Sequence, residues 1–188
     1  MTSDHDGHDL DLADTPGVEL VRHAGGLDVV QVRTDVAEAD VTLFGAHVTH
    51  YQPTGGKPVL FVSDKAVLDG SKAIRGGVPI CFPWFSGNGP NDDSPSHGFA
   101  RTAMWSLADA SRDGDDFVLK FALVSTEATR ELWPGEFVFA YTVRVGKTLR
   151  LEASVTNVGD DAFDYELALH TYFNVANVAD VKLTGFDG

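Results

Sequence analysis

Two arginines, a histidine, four aromatics, two prolines and several glycines crowd into two short segments within fewer than thirty residues of this chain. They lie in Ile74-Arg75-Gly76-Gly77-Val78-Pro79-Ile80-Cys81-Phe82-Pro83-Trp84-Phe85 and, past Pro95, in His97-Gly98-Phe99-Ala100-Arg101. A core strand has no use for that mixture. A cleft that stacks a sugar ring on aromatics and grips an anion with guanidinium groups does. Arg75 and Arg101 are fork-shaped donors suited to phosphate or carboxylate. His97 titrates near neutral pH and can donate or accept a hydrogen bond. Gly76-Gly77 has no Cβ and so allows the backbone a close approach. Of Phe82, Trp84 and Phe85, all core-like by type, one is expected to stack on a ligand while the others pack. Trp84 is the candidate.

A second chemical candidate lies further on. Phe163, Tyr165, Leu167 and Leu169 alternate with Asp164, Glu166, Ala168, His170 and Tyr172, so a strand is expected with His170 and Tyr172 sharing a face. His170 is a cleft residue if that face lines a groove and a surface histidine if it faces solvent. Glu166 shares the face, but four residues along a strand is about 13 Å. The two could not act on the same pair of atoms. His47 and His50 fall in a strand-like run, Phe44 to Tyr51, and are read as structural.

The elements that must position these groups are strands. Val29–Val32, Val41–Phe44, Phe117–Val124, Phe137–Val145 and Leu149–Thr156 are β-branched or alternate with period 2. Turn signals separate them at Asp113-Gly114-Asp115, Val145-Gly146-Lys147 and Asn157-Val158-Gly159-Asp160. The spacing predicts an all-β fold, an antiparallel β-sandwich or barrel. One short helix is expected over Thr126–Trp133, with Ser125 as its cap and Pro134-Gly135 as its stop. Residues 65–100 fit no strand pattern, and a loop-rich stretch of that length in a compact domain is usually functional.

Read together, these pieces resemble the glucose-6-phosphate 1-epimerase (hexose-6-phosphate mutarotase) branch of the aldose 1-epimerase superfamily. The pieces that match are Gly45-Ala46-His47-Val48, Pro58–Ser63, Asp69–Pro79, Pro83-Trp84-Phe85, His97–Arg101 with Trp105, Leu132-Trp133-Pro134 and Leu169–Phe173, in the family's order. The resemblance implies a galactose mutarotase-like β-sandwich that interconverts the α and β anomers of a hexose 6-phosphate without metal or redox cofactor. It implies His170 as general acid, Arg75 and Arg101 as holders of the 6-phosphate, and His97 as a sugar contact. The family's general base is a glutamate in a short glutamate-proline-glycine-like motif near the end of a longer domain. None of this chain's seven glutamates sits in such a motif. The expectation is therefore that residues 17–188 are the N-terminal two-thirds of the sandwich, incomplete at the C-terminus. The alternatives are a sugar-phosphate-binding protein without catalysis and a mutarotase for unphosphorylated aldoses. Arg75 and Arg101 count against the latter, since a neutral sugar needs no clamp.

Composition bounds the partners. The 188 residues suit one domain with a real core, and no apolar run approaches the length of a membrane helix. The acidic stretch 1–16 lacks the pattern of a signal peptide and reads as a solvated tail. Its His5-Asp6-Gly7-His8-Asp9 could hold a metal only loosely. Lone Cys81 forms no internal disulfide, and its apolar neighbours suggest a buried, inert thiol. A cytoplasmic monomer is expected. A net charge of −14 argues against nucleic acid and anionic membrane as partners. Asp 21 against Lys 6 suits a protein kept soluble in high salt, where self-repulsion is screened. A halophilic source predicts a melting temperature that rises between low and molar KCl; no rise would remove that expectation.

Overall fold

The computed structural model describes Leu12 and residues 15–185. Two four-stranded antiparallel sheets face each other. The first runs β1 (Val18–Arg22), β2 (Asp28–Arg33), β3 (Ala37–Thr42), β4 (His47–Pro53) in sequence order. Between the two sheets in sequence comes a long irregular stretch that holds β5 (Ile80–Cys81) and a 3-10 turn at Ala100–Thr102. The second sheet is again a meander, β6 (Ser106–Asp113), β7 (Asp116–Val124), β8 (Phe137–Val145), β9 (Leu149–Asn157). A last short strand, β10 (Ala168–Leu169), pairs with β5. The all-β antiparallel sandwich read from the alternation is the fold found.

Alternation decides which side chains meet between the sheets. Val30, Val32, Ala39 and Val41 from one sheet share a core with Leu119, Phe121, Phe139, Tyr141 and Val143 from the other. Tyr51 Oη donates to the Gly146 carbonyl at 2.9 Å and ties β4 to the turn between β8 and β9. Phe82 is fully buried at the end of this core, with ring centroids 4.9 Å from Phe139, 5.1 Å from Phe137 and 5.7 Å from Trp133. Its carbonyl accepts from the Phe99 and Ala100 amides. The aromatic cluster thus fixes the His97–Arg101 segment to the sandwich.

Several sequence expectations need correction. The helix is Glu127–Leu132 and its cap is Thr126, not Ser125. The Thr126 hydroxyl accepts from the Thr129 amide, while the Thr129 hydroxyl accepts from the Thr126 amide. Ser125 Oγ instead accepts from the Phe137 amide and pins the start of β8. Strand β6 carries no clean alternation and escaped the sequence reading. The strand expected over 163–172 is regular only at Ala168–Leu169. Around it the chain is extended and pairs with the irregular stretch 77–83: Glu166 N to Pro83 O, His170 N to Pro79 O, Tyr172 N to Gly77 O. The described residues at the end of the stretch read as a tail touch the sandwich. Leu12 packs on the core and Thr15 donates to the Ala110 carbonyl. The loose metal site proposed over His5–Asp9 lies outside the described residues. Cys81 is buried as expected, and burial pushes its thiol pKa up. Among the described residues no helix is long and apolar enough to cross a membrane.

Phe139 and Tyr141 make opposite predictions. Both are fully buried on β8, but Tyr141 Oη has no hydrogen-bond partner among the described residues, and burial pushes its pKa far up. Phe139→Ala should cost about 3–5 kcal/mol by emptying a packed site. Tyr141→Phe should cost nothing or raise the melting temperature, because it removes a hydroxyl that gains no partner on burial. Chemical denaturation of the two variants checks both signs.

Candidate functional site

The irregular stretch 59–105, with Tyr172 of the returning segment 163–174, lines an open cavity of about 820 Å³. Its wall includes Phe61, Ser63, Lys72, Arg75, Gly76, Ser96, Gly98, Arg101, Thr102 and Tyr172. Three of these side chains are cations and none is a carboxylate. Elsewhere among the described residues five cations find acids: Arg22 pairs with Asp28, Arg33 with Asp40, Lys120 with Asp109, Arg144 with Asp113, Arg150 with Glu152. Other cations, such as Lys57, Lys65 and Arg130, stand apart from acids singly, whereas the cavity gathers three. Among the described residues Lys72, Arg75 and Arg101 have no such partner. Arg75 is exposed and Arg101 half-buried, with one Arg101 nitrogen donating to the Ser96 carbonyl at 2.6 Å.

Backbone geometry holds these cations. Gly76 has φ +112° and Gly77 φ +63°. A Cβ on Gly76 would strike the Phe61 carbonyl and come within 2.5 Å of Val62 Cα. One on Gly77 would strike the Val48 carbonyl and lie 2.7 Å from His47 Nε2. The close approach expected of this pair is therefore made by the protein's own chain. Gly76 also lines the cavity, but its lack of a side chain serves the packing of residues 61–62 and 47–48.

The histidines lie beside the cavity in an aromatic group. The His97 ring is 4.8 Å from Phe85 and 5.8 Å from His170. His170 is stacked 5.0 Å from Tyr172, which faces the cavity, and 6.1 Å from Phe85. The expected sharing of a face by His170 and Tyr172 is thus met as ring stacking, with a groove beside it. His97 has φ +65° and Ser86 φ +56°, a conformation side chains seldom adopt. The two residues support each other. His97 N donates to Ser86 O at 2.7 Å, and Ser86 N donates to His97 Nδ1 at 3.1 Å. An Nδ1 that accepts leaves Nε2 as the protonated nitrogen of the neutral ring. Burial, with the charge of Arg101 and then His170, holds the His97 pKa below its ordinary value.

Trp84 is not where the sequence reading put it. It is 4% exposed, packs edge-on against Phe99, and its indole N–H is used by the Pro95 carbonyl at 2.8 Å. Phe82 is also core. Phe85, the third aromatic, stands exposed beside the histidines. The aromatics on the cavity wall itself are Phe61 and Tyr172. Lys72 was missed as a cation of the site. It lay inside the matched Asp69–Pro79 stretch, but only the loop's path brings it to the same wall as the arginines. Glu166 is no partner for His170: its carboxylate accepts from the Phe85 amide at 2.6 Å and from Asn88 Nδ2 at 3.2 Å.

The sequence model of the family described as aldose 1-epimerase matches residues 28–187, a span that contains every residue of this site. The chain belongs to that family. A Salmonella typhimurium protein named "Putative glucose-6-phosphate 1-epimerase" is 39% identical over 164 residues, covering 87% of this chain and 54% of that protein. An Escherichia coli protein of the same name is 38% identical, covering 85% and 52%. The crystal structure of a Salmonella typhimurium protein described as a "putative mutarotase (YeaD)" superposes with a TM-score of 0.77 at 34% identity, over 86% of this chain and 56% of that one. A galactose mutarotase-like protein from Clostridium acetobutylicum shares the fold at 17% identity and a TM-score of 0.62, over 75% and 49% of the two chains. The chain spans about half the length of the curated relatives it matches.

The Glu166 anchor has a consequence for pH. Accepting first from the Phe85 amide and then from Asn88 holds its pKa below the ordinary 4.5. A depressed carboxyl stabilises the fold fully above that ordinary value, and the contribution is lost as pH falls through the folded value. In wild type the Phe85 amide resonance should therefore move in acid below pH 4.5, and in Glu166→Gln it should not. A wild-type amide unmoved across that range would contradict the anchor.

Proposed function

We propose that this site binds a hexose 6-phosphate, glucose 6-phosphate above others, and takes part in the interconversion of its α and β anomers. The observation that carries the reading is the wall with three unpaired cations and no carboxylate, in a chain of net charge −14. Leaving like charges together without a counter-ion is unfavourable until an anion arrives, and guanidinium forks suit a phosphate. The names borne by the Salmonella and Escherichia coli relatives agree with that substrate.

The chemistry needs two proton transfers. His170 gives a proton to the ring oxygen while a base takes one from the C1 hydroxyl. The C1–O5 bond breaks, C1 becomes the aldehyde, and rotation about C1–C2 presents its other face. Closure on that face returns both protons, so nothing is oxidised or reduced and no cofactor takes part. Arg75 and Arg101, with Lys72, hold the phosphate. His97 offers its Nε2–H to a sugar oxygen. Phe61 and Tyr172 supply apolar surface for the ring. Gly76 shapes the wall. The base comes from a part of the protein other than the wall described here, because Glu166 is spent on Phe85 and Asn88. Residues 17–188 then form a portion of a longer sandwich. In this reading the protein is a monomer working in the cytoplasm at high salt.

A second reading keeps the clamp and drops the catalysis. It rests on one observation: no carboxylate lines the cavity among the described residues. Anomer exchange of glucose 6-phosphate, followed by NMR in molar KCl, separates the two. Catalysis predicts acceleration that His170→Ala reduces by about 10²–10⁴-fold. Binding without acceleration supports the second reading. Arg75→Ala should raise KM for glucose 6-phosphate about tenfold or more, as loss of a charged hydrogen bond implies, and leave unphosphorylated glucose nearly unchanged. Equal losses on both sugars would overturn the phosphate assignment.

A further inference from the structure

His47 is the one fully buried histidine among the described residues, and it touches neither the cavity nor the aromatic group beside it. Its Nε2 lies 2.7 Å from the Gly76 carbonyl. A carbonyl only accepts, so Nε2 carries the proton and donates it. Nδ1 is then a bare acceptor, buried and without a partner among the described residues. Burial lowers the pKa to about 4, the Gly76 bond opposes that shift, and the charge of Arg101 adds to it. The ring is neutral. If filling space were all that mattered, an apolar side chain would serve better than a ring with an orphaned nitrogen. What histidine adds is the single bond to Gly76, the residue that follows Arg75.

The two residues before it reach the other arginine. Gly45 and Ala46 are both left-handed, with φ +80° and +44°. Gly45 N donates to Ala103 O at 2.8 Å, and a Cβ on Gly45 would lie 2.6 Å from the Arg101 carbonyl. On the same side Trp105 N donates to Leu43 O, and Phe44 bridges Met104. On the opposite side Val78 N donates to Val48 O. One tripeptide corner is thus wedged between the backbone carrying Arg75 and the backbone carrying Arg101.

We propose that the Gly45-Ala46-His47 corner sets the separation of the two guanidinium groups, and that His47 is a positioning residue acting on the bound anion through Arg75. The proposal rests on the reading that these arginines hold the substrate's phosphate. His47 neither meets the substrate nor moves a proton. It fixes the carbonyl of Gly76, and so holds the backbone from which the Arg75 side chain reaches the cavity.

The test is a double-mutant cycle on the whole chain. Affinities for glucose 6-phosphate and for inorganic phosphate are measured by ³¹P NMR titration, with thermal melts to confirm folding. The variants are His47→Leu, His47→Asn, His47→Gln, Arg75→Ala and the double variant His47→Leu/Arg75→Ala. A glutamine amide nitrogen can stand where Nε2 stands and still reach Gly76; an asparagine amide is too short. His47→Leu and His47→Asn should each weaken both ligands about tenfold, and His47→Gln should stay within about threefold of wild type. In the Arg75→Ala background, His47→Leu should cost nothing more, because residues that act as a unit are not additive. Equal loss in both backgrounds would overturn the proposal, since a merely structural role gives additivity. So would wild-type affinity in His47→Asn, the variant to rely on should the leucine variant fail to fold. If Arg75→Ala weakens phosphate while His47 variants do not, only the positioning role falls. If wild type binds no phosphate at all, the clamp reading falls and this inference with it.

Discussion

Two guanidinium groups turned toward one space repel each other. In water that repulsion is small, but on a cavity wall with no carboxylate among the described residues it is not neutralised from within. The scaffold must therefore hold the arginine-bearing segments by their backbones. Much of the irregular half of the molecule answers that need. Residues 74–78 are clamped between 61–62 on one side and 47–48 on the other, close enough that only glycine fits at 76 and 77. Residues 97–101 hang from the Phe82 carbonyl, and Phe82 is itself anchored among Phe137, Phe139 and Trp133. The sandwich supplies a rigid floor, and the loops laid on it carry the charge.

The aromatic group beside the cavity is arranged by similar means. His97 and Ser86 both adopt left-handed backbone, and each satisfies the other's hydrogen bonds. Strain of this kind persists only where neighbours over-determine it. Glu166 adds a further tie by holding the Phe85 amide. In the proposed chemistry this is the acid side of the reaction. His170 stands next to Tyr172 on the cavity wall, and His97 keeps an N–H free to meet a hydroxyl. In that proposal the division of labour is electrostatic: fixed positive charge grips the distant phosphate, and the imidazoles of His97 and His170 face the carbon that reacts.

How much of this could be read from sequence depended on whether local pattern controlled the outcome. Alternation in Phe117–Val124, Phe137–Val145 and Leu149–Thr156 gave strands because one face of each is core, and burial enforces period 2. It also placed His170 with Tyr172. The same rule overextended at 163–167, where the partner is an irregular stretch and the pairing is too broken for a strand. Ser125 and Thr126 are both good caps by type, and only the path into β8 decided which hydroxyl did what. Trp84 and Phe85 are neighbours of equal promise. The packing of Trp84 on Phe99, with its N–H taken by Pro95, leaves Phe85 as the exposed member. Lys72 and the His47–Gly76 bond carry no local signal, since the contacts that give them meaning span the chain.

In the proposed function the cavity binds a phosphorylated sugar in a defined direction, phosphate to the arginines and anomeric carbon to His170. The most direct measurement is the crystal structure of this chain with glucose 6-phosphate. The account predicts phosphate oxygens within about 3 Å of both Arg75 and Arg101, and the ring oxygen on the side of His170. A sugar bound the other way round, or a phosphate that meets neither arginine, would contradict it.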